Sequence, residues 1–171
     1  MKKVRLSSLP LLLALLHVLE SPGLWYLHIL KHMNMAVRAV PYLTFNGNCR
    51  EAMGFYKECF GGELSLQAIA ETPMAARCPS GMQQHIMHSA LIKGDFLLMA
   101  TDMVGPAGFI QGSDMAVSLD FGDEQEIKTC FEKLSAGGNI FEPLRDAAWG
   151  ALFGTAQDKF GKVWMFNCNK K

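Results

Sequence analysis

The sequence places two imidazoles three residues apart, at His85 and His88. On a helix this spacing would put both rings on one face, as a metal site needs. On a strand, residues three apart point to opposite sides, so the pair could not chelate together. His88 shares a strand face with Ile86, Ala90 and Ile92. There it reads either as a satisfied wall histidine or as a proton-transfer group, because an imidazole in apolar surroundings can titrate near neutral pH. Asp102 is a second candidate for acid–base work. Trp149, Phe153 and Trp164 could close a pocket over a flat or greasy ligand, or simply pack the core. Trp149 follows the polar Arg145-Asp146 and suits a rim, whereas Trp164 suits the core. Eleven methionines add flexible thioethers, which fill irregular gaps and tolerate varied partners.

Other chemistries lack their patterns. The five cysteines (Cys49, Cys59, Cys78, Cys130, Cys168) are odd in number and contain no CxxC, so neither a disulfide scaffold nor a zinc ribbon is suggested. Cys59 and Cys130 fall on apolar helix faces and read as buried thiols, which suits a reducing compartment and hence the cytoplasm. There is no Walker motif, no GxSxG and no Ser-His-Asp arrangement that can be placed. No GxGxx turn opens a helix, so the Gly-rich strand–helix turn that usually holds S-adenosylmethionine is missing. The chain has 171 residues, half of them hydrophobic, and zero formal net charge. It is therefore a folding chain rather than a disordered one, without the basic footprint of a nucleic-acid binder.

The elements that must position these residues become readable after residue 38. Val40 to Phe45 reads as a strand. Asn48-x-x-Glu51 can form a capping box, and Ala52, Phe55, Tyr56, Cys59 and Phe60 then make one apolar helix face. Gly61-Gly62 stops the helix. Glu63 to Ala70 reads as a strand, followed by a Pro-, Gly- and Ser-rich loop from Glu71 to about Gln83. His85 to Ile92 and Phe96 to Thr101 form a hairpin around Lys93-Gly94-Asp95. The order β-α-β-β-β then recurs. Met115 to Phe121 is a strand. Asp123-x-x-Glu126 opens a helix carrying Ile127, Cys130, Phe131 and Leu134 on one face. Gly137-Gly138 stops it, and Asn139 to Leu144, Ala151 to Gln157 and Val163 to Cys168 supply three more strands. The Gly-Gly stops lie 76 residues apart and the hairpin glycines Gly94 and Gly161 lie 67 apart. Two units of matching order and similar length indicate a duplication.

Residues 1–34 are different material. They carry Lys2, Lys3, Arg5 and Lys31 against Glu20, a net +3, while the remainder carries −3. The basic start and the apolar run Leu9 to Leu19 suggest a secretory signal, although the small-residue cleavage site is missing. At eleven residues the run is too short to span a bilayer, which takes about 20. A membrane-surface helix is a second reading. A start codon assigned too early, with translation beginning at Met33 or Met35, is the third. The patterned sequence begins just after Met35, which favours the third and makes 35–171 the domain, with modules at about 38–103 and 114–168.

This layout resembles the vicinal oxygen chelate superfamily, the glyoxalase/bleomycin-resistance fold, and within it the PhnB-like (3-demethylubiquinone methyltransferase-like) branch. The residues that carry the resemblance are Pro41-Tyr42-Leu43-Thr44-Phe45, Asn46-Gly47-Asn48-Cys49, His88-Ser89-Ala90-Leu91, Trp149-Gly150, Phe153-Gly154 and Asp158-Lys159-Phe160-Gly161 with Trp164-Met165. It implies an α+β fold in which two βαβββ modules form one curved mixed sheet, a cup around a pocket. Metal-dependent relatives place four His or Glu ligands in that cup. The matching positions here are Pro41, about Met99, about Met115, and Met165, so the resemblance implies no metal site and no cofactor. A proline and three thioethers do not suit a hard divalent ion. The implied pocket wall is Pro41, Leu43, Phe45, Met99, Met115 and Met165, with Trp149 and Phe153 at the rim and His88 as the polar handle. A metal-free small-molecule-binding protein, paired as a homodimer, is the first expectation. A lyase, isomerase or dioxygenase using His88 or Asp102, or a relocated metal site, is the second. Neither nucleic acid nor membrane is expected as a partner of the domain.

Overall fold

The computed structural model describes residues 38–170. The readings of residues 1–34 lie outside the described residues. The first module runs β1 (Tyr42–Thr44), α1 (Cys49–Phe60), β2 (Glu63–Ala68), β3 (Ile86–Lys93) and β4 (Phe96–Thr101). The second runs β5 (Val117–Phe121), α2 (Glu124–Ser135), β6 (Asn139–Asp146), β7 (Ala151–Gln157) and β8 (Val163–Asn169). The loop after β2 folds into three short 3-10 turns, the first capped by Glu71 reaching back to the Ala68 amide.

The duplication is present in the strand pairing. The sheets have orders β1-β4-β3-β2 and β5-β8-β7-β6, which are the same order shifted by four. In each, the first strand runs parallel to the fourth and the other pairs are antiparallel. The strands thus form two four-stranded mixed sheets, one per module, which is the doubled βαβββ, α+β architecture expected from the sequence. The Gly-Gly stops do equivalent work in both modules. A side chain on Gly62 would collide with the Ile92 carbonyl in β3, and one on Gly138 with the Gln157 carbonyl in β7. Each helix end must approach its hairpin backbone too closely for a Cβ.

The helix starts differ. Asp123 caps α2, accepting from the Gln125 and Glu126 amides at 2.9 Å. The capping box expected at Asn48 and Glu51 does not form, since Asn48 makes no side-chain cap. Asp102, at the end of β4, does that work from across the module. Its Oδ1 accepts from the Gly47 and Cys49 amides, each at 2.9 Å, and its Oδ2 from the Ile86 amide at 2.8 Å. A buried carboxylate replaces a local cap and ties α1 to β3 and β4 together.

One hydrophobic cluster serves both modules. It joins Phe45, Ala52, Met53, Tyr56, Leu91 and Leu98 to Leu119, Ile127, Phe131, Leu134, Trp164 and Phe166. Phe60 of α1 touches both Phe96 of β4 and Trp164 of β8, with ring centroids 4.9 and 5.7 Å apart. Tyr56 stacks edge-on against Trp164 at 5.2 Å. Both helix-facing sides of the sheets therefore share one core, and each sheet has a second, open face directed away from it.

Asp158, in the β7–β8 turn, is the polar centre of this junction and is buried. Its Oδ2 accepts from the Tyr56 hydroxyl at 2.6 Å and from the Trp164 indole N–H at 2.7 Å. Its Oδ1 accepts from the Phe160 and Lys162 amides, each at 2.9 Å. Burial and the neighbouring carboxylate push the Tyr56 phenol well above its ordinary pKa, so it stays a donor. Replacing Asp158 with alanine strands four donors. Asp158→Ala is expected to cost about 3–5 kcal/mol and Tyr56→Phe about 1–2 kcal/mol in urea unfolding. Equal, small losses in both variants would contradict the assignment of Asp158 as the shared acceptor.

Candidate functional site

Strand alternation divides the first sheet's residues between core and open face. In β4, Leu98 and Ala100 enter the core, which leaves Met99 on the open face. In β3, Leu91 enters the core, and Ser89 is turned the same way, its Oγ 3.6 Å from the Cys49 sulfur of α1. His88 and Ala90 therefore share the open face with Met99, which pairs with Ala90 in the ladder. In β1, Leu43 packs against the core, so Tyr42 takes the open face, in register with Met99. His88 is joined there by Gln67 of β2, its direct partner.

The Tyr42 hydroxyl lies 3.1 Å from His88 Nδ1, with ring centroids 5.9 Å apart. Burial holds the imidazole below its ordinary pKa, because a charged ring would lose hydration there. The group is a neutral imidazole on a largely apolar patch, half-buried beside a phenol that is 46% exposed. Tyr42 was not singled out in the sequence. The run Pro41 to Phe45 is apolar or aromatic at four of its five positions, so its inward face could not be told from its outward one.

The other residues expected in a pocket wall separate. Leu43 and Phe45 face α1 rather than the open face, and Phe45 is 1% exposed among Tyr56 and Phe160. The error is one of strand phase: a shift of one residue exchanges the two faces of a strand. Pro41 precedes β1 and is exposed, and its carbonyl accepts from the Met99 amide at 3.1 Å. Met115 is 79% exposed in the loop before β5, which begins at Val117 rather than Met115. Ile86 does not share the face of His88. A register shift between Gln67 and Ala68 in the facing strand puts it in the core cluster. Trp164 is fully buried.

Met165 lies on the open face of the second sheet, paired with Ser118 and Thr155, since its neighbours Trp164 and Phe166 enter the core. Phe153 is on β7 opposite Arg145, and Trp149 stands edge-on to it with centroids 5.3 Å apart. Trp149 is 65% exposed. Arg145 forms an ion pair with Glu142 on the same strand. Met99 and His88 thus belong to one open face, and Met165, Phe153 and Trp149 to the other.

A separate cleft of about 1030 Å³ opens between the β7–β8 turn and the segment linking the modules. Asn46, Asn48, Gln111, Asn139, Gln157 and Lys159 give it a polar lining. It is not the apolar pocket that the sequence suggested. Asp102 is directed into the protein and spends both oxygens on backbone amides, which leaves His88 as the acid–base candidate.

Among the described residues neither a divalent metal ion nor a nucleoside-type methyl donor finds a fitting set of side chains. The four metal positions hold Pro41, Met99, Met115 and Met165, spread over two open faces and an exposed loop. Among the described residues no three His, Cys, Asp or Glu side chains gather to hold a metal ion. For a nucleoside-type methyl donor, both helix starts are already filled by carboxylates, Asp102 at α1 and Asp123 at α2. The glycine pairs end the helices instead of opening them. No helix among the described residues is long and apolar enough to cross a membrane.

Comparison with known proteins gives a consistent set of relatives. The family model for 3-demethylubiquinone-9 3-methyltransferase matches residues 37–166. Protein YjdN of Escherichia coli K12 is 36% identical over 141 residues, covering 77% of this chain and 95% of that protein. The crystal structure of protein PA1353 from Pseudomonas aeruginosa superposes with a TM-score of 0.70 at 37% identity, over 80% of this chain and all of that one. A putative 3-demethylubiquinone-9 3-methyltransferase, the PhnB protein from Bacillus cereus, gives 0.62 at 25% identity, over 77% and 99%. A glyoxalase/bleomycin resistance protein/dioxygenase family enzyme from Burkholderia phytofirmans shares the fold, with a TM-score of 0.54 at 11% identity over 78% of this chain and all of that one. With its doubled βαβββ order and these matches, the chain belongs to the PhnB-like 3-demethylubiquinone-9 3-methyltransferase family and shares the fold of the glyoxalase/bleomycin resistance protein.

Proposed function

We propose that this chain binds a small, largely apolar molecule without a metal ion, and that it works as a homodimer in the cytoplasm. The observation that carries the reading is the residue set at the four implied metal positions, Pro41, Met99, Met115 and Met165. A thioether is a soft, neutral ligand and offers nothing to offset the desolvation of a hard divalent ion. An apolar surface with a few polar groups, Tyr42, His88 and Gln67, is what a small-molecule site needs: area for contact and handles for orientation.

The dimer follows from where the apolar surface lies. The open faces carry exposed Tyr42, Met165 and Trp149, and β1 and β5 are edge strands of their sheets. Within one chain each open face is turned away from the shared core. A second copy can cover an open face and turn it into a pocket wall. Two-fold pairing is the commonest solution for soluble oligomers. A reducing compartment suits the five cysteines, which are free thiols. Burial pushes Cys49 and Cys130 up to about 12 and Cys59 to about 11, so none of these three is poised as a nucleophile.

The second reading is an enzyme in which His88 moves a proton. The Tyr42–His88 hydrogen bond favours it, because a histidine held by a third group is the usual arrangement of a general base. Turnover of a ligand found by screening, lost in His88→Gln while binding persists, would move this reading ahead of the first.

Three measurements follow. Protein dialysed against Ni, Mn, Zn or Mg is expected to retain no stoichiometric ion, and EDTA to leave its melting curve and its ligand-induced shifts unchanged. One ion per chain, lost on chelation together with binding, would overturn the metal-free reading. Light scattering at micromolar concentration is expected to give twice the chain mass, and the monomer mass alone would count against the dimer. The His88 ring is expected to titrate below 6.5 by NMR. Because the folded state then binds fewer protons than the unfolded one, His88 favours unfolding as pH falls below 6.5. A midpoint above 6.5 would reverse that sign and contradict the burial argument.

A further inference from the structure

We propose that the polar cleft beside the β7–β8 turn is a second binding site, separate from the open faces, and that it takes a neutral, hydroxyl-rich molecule of saccharide type.

The walls supply the argument. One wall is the loop before α1, where Asn46 and Asn48 stand exposed on either side of Gly47. Asn48 occupies the N-cap position of α1, where an Asn side chain ordinarily accepts from the first amides of the helix. It makes no such bond. Asp102 takes the Gly47 and Cys49 amides from inside the module instead. The Asn48 carboxamide thus lines the cleft without a capping duty.

The opposite wall is fixed by bonds among the protein's own amides. Gln111 Nε2 donates to the Gly161 carbonyl at 2.6 Å, and Asn139 Nδ2 donates to Gln157 Oε1 at 3.1 Å. A carboxamide carries two N–H donors and an oxygen with two lone pairs, so each bond leaves further capacity of both kinds on the same group. The segment linking the modules, which carries Gln111, is held at a second point. The Phe109 ring lies 5.4 Å from Lys162 Nζ, which donates to the Thr44 carbonyl at 2.8 Å and sits 4.7 Å above the Phe45 ring. A lining fixed before a ligand arrives spares the cost of ordering it.

The ligand class follows from charge and bonding capacity. The charged residues in the lining are Asp158 and Lys159, of opposite sign. Asp158 spends its oxygens on four donors. The Lys159 ammonium stands 3.7 Å from Glu51 and over the Phe55 and Phe160 rings at 4.8 and 5.0 Å. Neither an anion nor a cation meets a surplus of opposite charge. A carboxylate or phosphate only accepts, and would set its oxygens against those of the carboxamides. An ammonium only donates, and would set its hydrogens against theirs. A hydroxyl does both, so a molecule with several of them matches a carboxamide lining group by group. Phe109 and Phe160 add apolar ring area for the C–H faces of a sugar ring. The volume of about 1030 Å³ lies at the upper end of the range for small-molecule sites.

The test uses the full chain, labelled with ¹⁵N, and three neutral disaccharides: maltose, cellobiose and trehalose. Inorganic phosphate and spermidine serve as the charged probes. At least one disaccharide is expected to shift, saturably, the side-chain amide signals of Asn48, Gln111 and Asn139 and the backbone amide of Gly161. Phosphate and spermidine are expected to leave these signals in place. Asn48→Ala is expected to keep the melting temperature, because no cap is lost, and to weaken disaccharide binding about fivefold, the worth of one neutral hydrogen bond. Asn46→Ala, in the same loop, is expected to weaken it as well, and Met165→Ala, on an open face, to leave it unchanged. Failure of all three disaccharides to saturate by about 50 mM overturns the ligand class, as does tighter binding of phosphate or spermidine. Shifts centred on Trp149 and Phe153, or unchanged affinity in both asparagine variants, overturn the site.

Discussion

The carboxylate of Asp158 is the constraint on which the rest of the structure depends. Two modules of the same plan must be joined through one core, and the join carries polar groups that cannot be left unpaired. Tyr56 brings a hydroxyl from the first module, Trp164 an indole N–H from the second, and the β7–β8 turn two amides. A single buried anion satisfies all four. This fixes the β7–β8 turn against α1 and sets the aromatic packing of Tyr56, Phe60 and Trp164 around it. Asp102 plays the related part within the first module, where it holds the start of α1 against β3. Both buried aspartates spend their oxygens on donors of the protein itself.

Their consequence for function is indirect. With the helix-facing sides of both sheets committed to one core, the apolar surface left for binding lies on the two open faces, apart from the polar cleft at the β7–β8 turn. The first offers a phenol and an imidazole in hydrogen-bond contact beside a thioether. The second offers an exposed tryptophan on a phenylalanine, with a methionine on the neighbouring strand. These are surfaces that gain from being covered. Fold membership alone does not separate binding from catalysis, because function lives in the site rather than in the fold. The side chains at the ligand positions favour binding.

Much of this was legible in the sequence, and the failures have physical causes. The helix faces, the Gly-Gly stops and the bounds of β4 and β7 followed from periodicity and from glycine chemistry, and the repeat made each half support the other. The phase of β1 was not legible. Tyr42, Leu43 and Phe45 are all large and largely apolar, so alternation gave no contrast, and the reading chose the wrong face. Ile86 was misplaced by a register irregularity, which no local pattern marks. The Asn48 cap does not form, and a distant carboxylate, Asp102, takes the Gly47 and Cys49 amides at the helix start instead. Asp158 looked like a turn residue because its partners at Tyr56 and Trp164 are brought to it only by the tertiary fold. Buried hydrogen-bond networks depend on contacts far apart in the chain and leave little trace in spacing.

The central claim is that ligand binds on the open face around His88 without a metal. Chemical-shift mapping tests it most directly: a screened ligand titrated into EDTA-treated, ¹⁵N-labelled protein. The account predicts the largest perturbations at Tyr42, His88, Ala90 and Met99, unchanged by added divalent ions. Perturbations centred on Gln111, Asn139 and Gly161 in the polar cleft, or appearing only after a metal is restored, would contradict it.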